Sequence, residues 1–365
     1  MTKFSSLSQL MAHGFDTVID VRSPAEFAED HMPGAINLPV LDNEERAEVG
    51  TMYKQVSPFR ARKIGAAKVF RNAARHIETT LADREGGWRP LVYCWRGGQR
   101  SGSFAWMLRE IGWRAEVIEG GYRTYRRLVV AALYDEPLPH RLIKLGGYTG
   151  TAKTELLQRL EALGVQVIDL EALARHRGSL LGAWDTEQPS QKAFETALAG
   201  ALSALDPARP VVVEAESSKI GRVSLPPSLW TAMGEAPLLE VSAPIDARAE
   251  YLSRAYADIL ADGPRLKVML SPLLSVRGRA VLDHWSALID AGDKPALCAA
   301  LAEDHYDPAY RRSAKAHGLA PVEQIALDAL DDAALARGAE AIAQAVQRIE
   351  TAPAPLVSRP TTAAS

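Results

Sequence analysis

Short apolar runs bounded by polar or glycine-bearing loops recur in the first third of the chain and again from residue 141, alternating with stretches of helical spacing. Residues 18–22 (VIDVR), 91–93 (LVY) and 115–118 (AEVI) read as strands, and 104–108 (FAWML) as helix. In the second half, 141–145 (RLIKL), 165–169 (VQVID) and 209–216 (RPVVVEAE) read as strands, and 155–163 as helix. Strands that alternate with helices predict parallel sheets, with ligand bound beyond the carboxyl ends of the strands. From 244 to 317 the apolar spacing is mostly helical. Pro137 and Pro139 disfavour helix and mark 133–140 as a linker. Pro353, Pro355 and Pro360 among small residues mark 351–365 as a disordered tail. A chain of 365 residues is long for one domain. The division expected is therefore 4–132, the linker, 141–350 and the tail, with no internal repeat.

Composition narrows the class. Apolar residues make up 47% of the chain, ordinary for a globular protein, and no segment is long enough to span a bilayer. Two cysteines leave no disulfide framework and point to a reducing, cytoplasmic setting. Cys298 lies in an apolar helical run (296–301) and reads as core. No CxxC pair exists, and no metal site is indicated. The net charge of −3 excludes a surface coated with basic residues but not a local patch. Residues 59–76 carry Arg60, Arg62, Lys63, Lys68, Arg71 and Arg75 with no acid among them; Arg123, Arg126 and Arg127 are interleaved with Tyr122 and Tyr125. Arginines beside aromatics suit phosphate pairing and base stacking, so Arg60, Arg62, Lys63, Arg71, Arg123 and Arg126 are candidate RNA contacts. A solvated helix face explains either run alone equally well. Residues 42–76 also lengthen the first domain beyond what a compact α/β unit needs.

The most informative stretch is CWRGGQRS, residues 94–101, which follows one predicted strand and precedes a predicted helix. Backbone N–H groups and the positive end of a helix dipole surround a cysteine placed there. Arg96 and Arg100 add charge, and Gly97 and Gly98 let the loop close. Each feature favours the thiolate, which is the nucleophile. Cys94 is thus a candidate catalytic residue in an anion-attracting loop.

GGYTGTAKT, residues 146–154, places Gly147, Lys153 and Thr154 at the spacing of the phosphate-binding loop, between a predicted strand and helix. Backbone N–H groups would close on a phosphate, Gly150 would allow the turn, the lysine would reach the outer oxygens, and the hydroxyl is able to bind Mg²⁺. Ala152 departs from the pattern, which has glycine there. Asp169, Glu214 and Glu216 end predicted strands, and Glu214 and Glu216 would share one side of theirs. They are candidates to orient metal or water. Asp169, Arg175, His176 and Arg177 would lie near the loop.

DVRSPAEF, HMPGAINLP, CWRGGQRS and EGGYRTY together resemble the rhodanese (sulfurtransferase) family over residues 4–130, which implies a rhodanese-like α/β domain. In that resemblance Cys94 accepts the transferred chalcogen, and Asp20 and Arg22 are structural. With GGYTGTAKT, DLEALARHRGS and YDPAYRR the similarity extends to residue 320, to the tRNA 2-selenouridine synthase family. The fold it implies is a rhodanese-like domain followed by a P-loop NTPase-like parallel-sheet α/β domain with a helical C-terminal region. The activity it implies is conversion of 2-thiouridine at the wobble position (U34) of lysine, glutamate and glutamine tRNAs into 2-selenouridine. The sulfur is first alkylated by geranyl diphosphate; selenium from selenophosphate then replaces it through an S-selanyl intermediate on Cys94. No tightly bound cofactor is implied, Mg²⁺ is optional, and the protein is read as a monomer. Two other classes stay open from the residues alone: an ATP-dependent phosphotransferase with a regulatory rhodanese domain, and a persulfide carrier.

Overall fold

The computed structural model describes residues 1–178, 181–182, 186–316 and 320–351. The chain forms two compact units. One comprises Met1–Pro139, Leu170–Asp206 and Glu216–Ala232; the other comprises His140–Asp169, Pro207–Ala215 and the chain from Met233 onward.

In the first unit, strands β1 (Thr17–Asp20), β2 (Ile36–Asn37), β3 (Pro90–Tyr93) and β4 (Glu116–Val117) form a parallel sheet in the order β2-β1-β3-β4. Ile19 lies opposite Val92 in the register. Both join Val21, Phe104, Leu108, Trp113 and Val117 in one core, which Cys94 also enters. At the end of β1, Arg22 and Asp20 are almost wholly buried and paired by hydrogen bonds of 2.7–3.1 Å. The Arg22 guanidinium also donates to the carbonyl of Asp30 at 2.6 Å and lies 3.9 Å from the centre of the Tyr122 ring. The pair therefore ties the strand end to two later loops.

The long stretch 42–76 is a helical hairpin, Asn43–Gln55 followed by Pro58–Glu78. Asp42 caps the first helix, with Glu45 reaching back to it; Ser57 caps the second, which starts on Pro58. Ala61, Gly65, Val69 and Ala73 recur every fourth residue and form the buried face of the second helix. Arg60, Arg62, Lys63 and Arg71 are left on its exposed side.

The compact units differ from the division read from sequence in two places. Residues 170–206 and 216–232 pack with the first unit rather than with the parallel sheet that flanks them in the chain. The reason is the helix Gln191–Ala204. Its buried Glu195 pairs with Arg126 and accepts from the Tyr134 hydroxyl at 2.6 Å, and its Thr196 accepts from Tyr125 at 3.0 Å. The expected linker, 133–140, is also shorter than read. Helix Tyr122–Val130 continues as a wider turn over Ala131–Asp135, which buries Leu133.

In the second unit, β5 (Leu142–Gly147), β6 (Gln166–Ile168), β7 (Val211–Glu214), β8 (Leu238–Ser242) and β9 (Glu323–Ala326) form a parallel sheet in the order β9-β8-β5-β7-β6. The central position of β5 puts the loop after it in the middle of the sheet's carboxyl edge. Helices Lys153–Ala162 and Asp332–Thr351 share one core with β5 and β8. The region from 245 to 316 is a succession of helices, as its spacing predicts. Cys298 is buried there, and the expected tail lies, from residue 352, outside the described residues.

Removing one partner of a buried ion pair strands the other. Asp20→Ala is expected to cost roughly 3–5 kcal/mol of stability in the first unit. Urea unfolding followed by the exposure of Cys94 to alkylation measures it; a loss under about 1 kcal/mol would show that Arg22 finds other partners.

Candidate active site

Cys94 stands one residue beyond β3, and helix Gln99–Ile111 opens five residues later with Gly98 at its cap. Its side chain is 4% exposed. The Ser101 hydroxyl donates to Cys94 Sγ at 3.2 Å. Burial pushes the thiol up, but this hydrogen bond, the Arg100 charge and the backbone N–H groups of Ser101 and Arg96 outweigh it, and the net shift is downward. Burial alone acts on Cys298, and there it pushes the thiol up to about 11.

The loop owes its shape to a second one. Residues 118–122 lie against it: the backbone N–H of Tyr122 donates to the carbonyl of Cys94 at 2.9 Å, and that of Arg123 to the carbonyl of Trp95 at 3.1 Å. Gly97 has φ +64°, and a β-carbon there would stand 2.4 Å from the carbonyl oxygen of Ile118. At Gly121, φ +58°, a β-carbon would stand 2.2 Å from the carbonyl oxygen of Cys94. Only glycine permits both the backbone angles and the approach.

Arg100 is tethered. Its guanidinium donates to Glu26 at 3.0 Å, and Glu26 also takes Arg46 at 3.6 Å and the backbone N–H of Ser23 at 3.2 Å. Arg96 is exposed. A cavity of about 870 Å³ opens at the loop, bounded on its far side by the helical hairpin.

The second candidate loop follows β5. Gly147 has φ +147°, and a β-carbon on it would meet the carbonyl oxygen of Val241 at 2.4 Å; Gly150, at φ +87°, would collide with Leu252. Ala152, in place of the pattern's glycine, adopts φ +57° and caps helix Lys153–Ala162. The left-handed angle that the motif reserves for glycine is kept despite the methyl group, at a cost of roughly 1–2 kcal/mol. Lys153 Nζ donates to the carbonyl of Gly147 at 3.1 Å and so spans the loop. Thr154, the helix's second residue, stands beside it.

Around this loop lie residues whose part the sequence does not disclose. Arg248 donates to the carbonyl of Thr149 at 3.1 Å and grips Asp307 through both terminal nitrogens at 2.9 and 2.8 Å. The Tyr148 ring has Arg248 and Arg311 at 5.2 and 5.6 Å from its centre and Tyr310 at 4.9 Å. Arg311 Nε donates to the Tyr148 hydroxyl at 3.0 Å. The only sequence signal for them is the tyrosine–arginine run 306–312. Ser101 and Glu26, likewise, sit inside recognisable motifs without a marked role.

Other candidates fall as follows. Glu214 ends β7 and is buried in the second unit. Glu216 lies past the strand, in the first unit, where its carboxylate and that of Glu171 crowd Gly178. Alternation along a strand therefore does not apply to the pair. Asp169 follows β6 in the second unit, whereas Arg175, His176 and Arg177 belong to the first. Arg60, Arg62, Lys63, Arg71 and Arg123 are exposed. Arg126 is partly buried and pairs with the buried Glu195. Among the described residues, no group of three or more His, Cys, Asp or Glu side chains is arranged to hold a metal ion, and no helix is long and apolar enough to cross a membrane.

Comparison with known proteins matches both halves of the chain. Residues 4–128 match the rhodanese-like domain model, and residues 140–264 match the model of the tRNA 2-selenouridine synthase AAA domain. A tRNA 2-selenouridine synthase of Nitrosomonas europaea is 36% identical over 293 residues, 76% of each chain. One of Chromohalobacter salexigens is 39% identical over 244 residues, 67% of this chain and 66% of its own. The crystal structure of the N-terminal domain of a putative ATP/GTP binding protein from Clostridium difficile is 35% identical, covering 36% of this chain and 98% of that one, with a TM-score of 0.31.

The thiolate is the species that alkylates, so a lowered folded pKa moves the rise of the rate to lower pH. Iodoacetamide labelling of Cys94 is expected to reach half its maximum at a lower pH than labelling of an unperturbed thiol does. Ser101→Ala should move that midpoint upward, because it removes the strongest contact opposing burial. A wild-type midpoint above the ordinary value would contradict the geometry.

Proposed function

The chain belongs to the tRNA 2-selenouridine synthase family, and from that premise we propose that it is a tRNA-modifying enzyme that converts 2-thiouridine at the wobble position into 2-selenouridine in two steps. In the first, the P-loop binds geranyl diphosphate. The base sulfur takes the geranyl carbon, and pyrophosphate leaves. The N–H groups of the loop and Lys153 meet the charge that develops on the leaving oxygen. In the second, selenium replaces the alkylated sulfur. S-geranyl-2-thiouridine, selenophosphate and water give 2-selenouridine, geranylthiol and phosphate; the water's oxygen goes to phosphorus, and its two hydrogens to N3 and the thiol. Alkylation makes the sulfur a leaving group, which gives the order of the steps a chemical reason.

The observation that carries this reading is Cys94 itself. A buried thiol held toward the thiolate by Ser101, two backbone amides and Arg100 suits a chalcogen-handling nucleophile, whereas phosphoryl transfer at the P-loop would not require it. The Cys94 thiolate displaces the geranylthio group from C2, which leaves as geranylthiol, and hydroselenide freed from selenophosphate by water then displaces Cys94. An S-selanyl group on Cys94 would need a two-electron oxidant that neither substrate supplies. The exposed Arg60, Arg62, Lys63, Arg71 and Arg123 supply cations for the phosphates of the anticodon loops of lysine, glutamate and glutamine tRNAs.

Two variants separate the steps. Cys94→Ser should still give S-geranyl nucleoside but no selenouridine. Lys153→Ala should lower geranylation by at least about a hundredfold, while prebuilt S-geranyl tRNA remains a substrate for selenation. Mass spectrometry of digested tRNA reads both. Normal S-geranyl product from Lys153→Ala would remove the P-loop from the chemistry.

A further inference from the structure

A chalcogen-transfer loop needs room for a small anion and for one base edge. The cavity at Cys94 is larger and of different character. Its volume, about 870 Å³, lies in the range of pockets that bury a drug-sized ligand, roughly 300–1,000 Å³. Its wall is Leu41, Val49, Tyr53, Ala61, Gly65 and Val69, an apolar surface from the helical hairpin and the chain leading into it. Leu41, Ala61, Gly65 and Val69 are buried at its base, and Val49 and Tyr53 are more exposed. Gly65 faces Val49 so closely that a β-carbon on it would stand 3.1 Å from the valine methyl group, and Ala61 and Ala66 are the next small residues on the same helix. The rim is cationic: five Lys or Arg side chains line the cavity, and no carboxylate does. Arg62 lies 5.9 Å from the centre of the Tyr53 ring at that rim.

An apolar trough that ends at a nucleophilic sulfur and opens through cations fits a ligand with an oily chain and a polyanionic remainder. We propose that this pocket is the subsite for the allylic chain of the S-alkylated base, holding the departing geranylthio group beside Cys94 while the nucleic acid's phosphates sit on the rim. The assignment rests on the two-step reading above and adds where the chain goes. The long hairpin 42–76 then has a purpose besides RNA contact: it supplies the hydrocarbon wall that the sulfur-exchange step requires. Binding the chain there would also make selenation selective for the alkylated base, since 2-thiouridine leaves the wall unfilled.

The test uses the full-length protein and prebuilt nucleosides, so it does not depend on whether the protein makes the S-geranyl compound. Cys94 alkylation by iodoacetamide is timed with S-geranyl-2-thiouridine, with 2-thiouridine and with geranyl diphosphate. Cys298, buried and poorly ionised, does not compete. With S-geranyl-2-thiouridine at about ten times its dissociation constant, labelling should slow about tenfold; 2-thiouridine at the same concentration should change it by less than about twofold. Ala66→Phe, which projects a ring into the trough, should abolish that protection, measured against the variant's own ligand-free rate. Equal protection by both nucleosides, or none by either, overturns the assignment, and the wild-type arms decide this even if Ala66→Phe fails to fold. Protection by geranyl diphosphate without protection by S-geranyl-2-thiouridine also overturns it, by making the pocket a donor site. If the assignment fails while Lys153→Ala still loses geranylation and Cys94→Ser still loses selenation, the two-step reading stands without it.

Discussion

Between Gly97 and Gly121 there is no room for a β-carbon, and the rest of the first unit's chemistry depends on that contact. One β-carbon would stand 2.4 Å from the carbonyl oxygen of Ile118, the other 2.2 Å from that of Cys94. With both positions glycine, the loop after β3 and the loop before helix Tyr122–Val130 close into one backbone clasp, tied by the N–H groups of Tyr122 and Arg123. The clasp engages the cysteine carbonyl, and the sulfur meets the first turn of helix Gln99–Ile111, where Ser101 reaches it. Tyr122 also passes the constraint on. Its hydroxyl donates to Asp30 at 2.6 Å, and its ring lies against the Arg22 guanidinium that β1 holds through Asp20. The thiolate is therefore positioned by backbone geometry and a buried ion pair, not by a mobile surface charge.

The second unit solves an analogous problem with a different margin. Its loop needs left-handed angles at Gly147, Gly150 and residue 152, and the chain supplies alanine at the last. The angle is held because Ala152 is buried in the same core as Leu156 and Val241, so packing offsets the local cost. Arg248, gripped by Asp307 and bonded to the carbonyl of Thr149, braces the loop from the other side. Lys153 meanwhile bridges to Gly147, a contact that an anion's oxygens could replace.

Much of this was legible from residue patterns, because both loops announce themselves by local rules: a strand, a glycine turn, a helix start. Cys94, Gly97, Gly147 and Lys153 stand where those rules put them. What was not legible depends on distant partners. Arg126 reads as one more arginine beside a tyrosine, and only the arrival of the buried Glu195 from some 70 residues away makes it half of an ion pair. Glu216 reads as the end of a strand, but the strand stops at Glu214. Strands β8 and β9 stand just before and just after the helical region 245–316, and no motif marks them. The hairpin 43–78 showed its charges in the sequence. Its buried stripe of small residues, which forms a wall, becomes meaningful only once Val49 faces Gly65.

In the proposed reaction one chain carries both half-reactions, alkylation of a thiolated base and its exchange for selenium. The most direct measurement is mass spectrometry of nucleosides from 2-thiouridine-containing tRNA incubated with the wild-type protein, first with geranyl diphosphate alone and then with selenophosphate added. The account predicts S-geranyl-2-thiouridine in the first reaction and 2-selenouridine in the second. Unchanged 2-thiouridine in both, from folded protein that consumes ATP, would contradict it and favour a phosphotransferase.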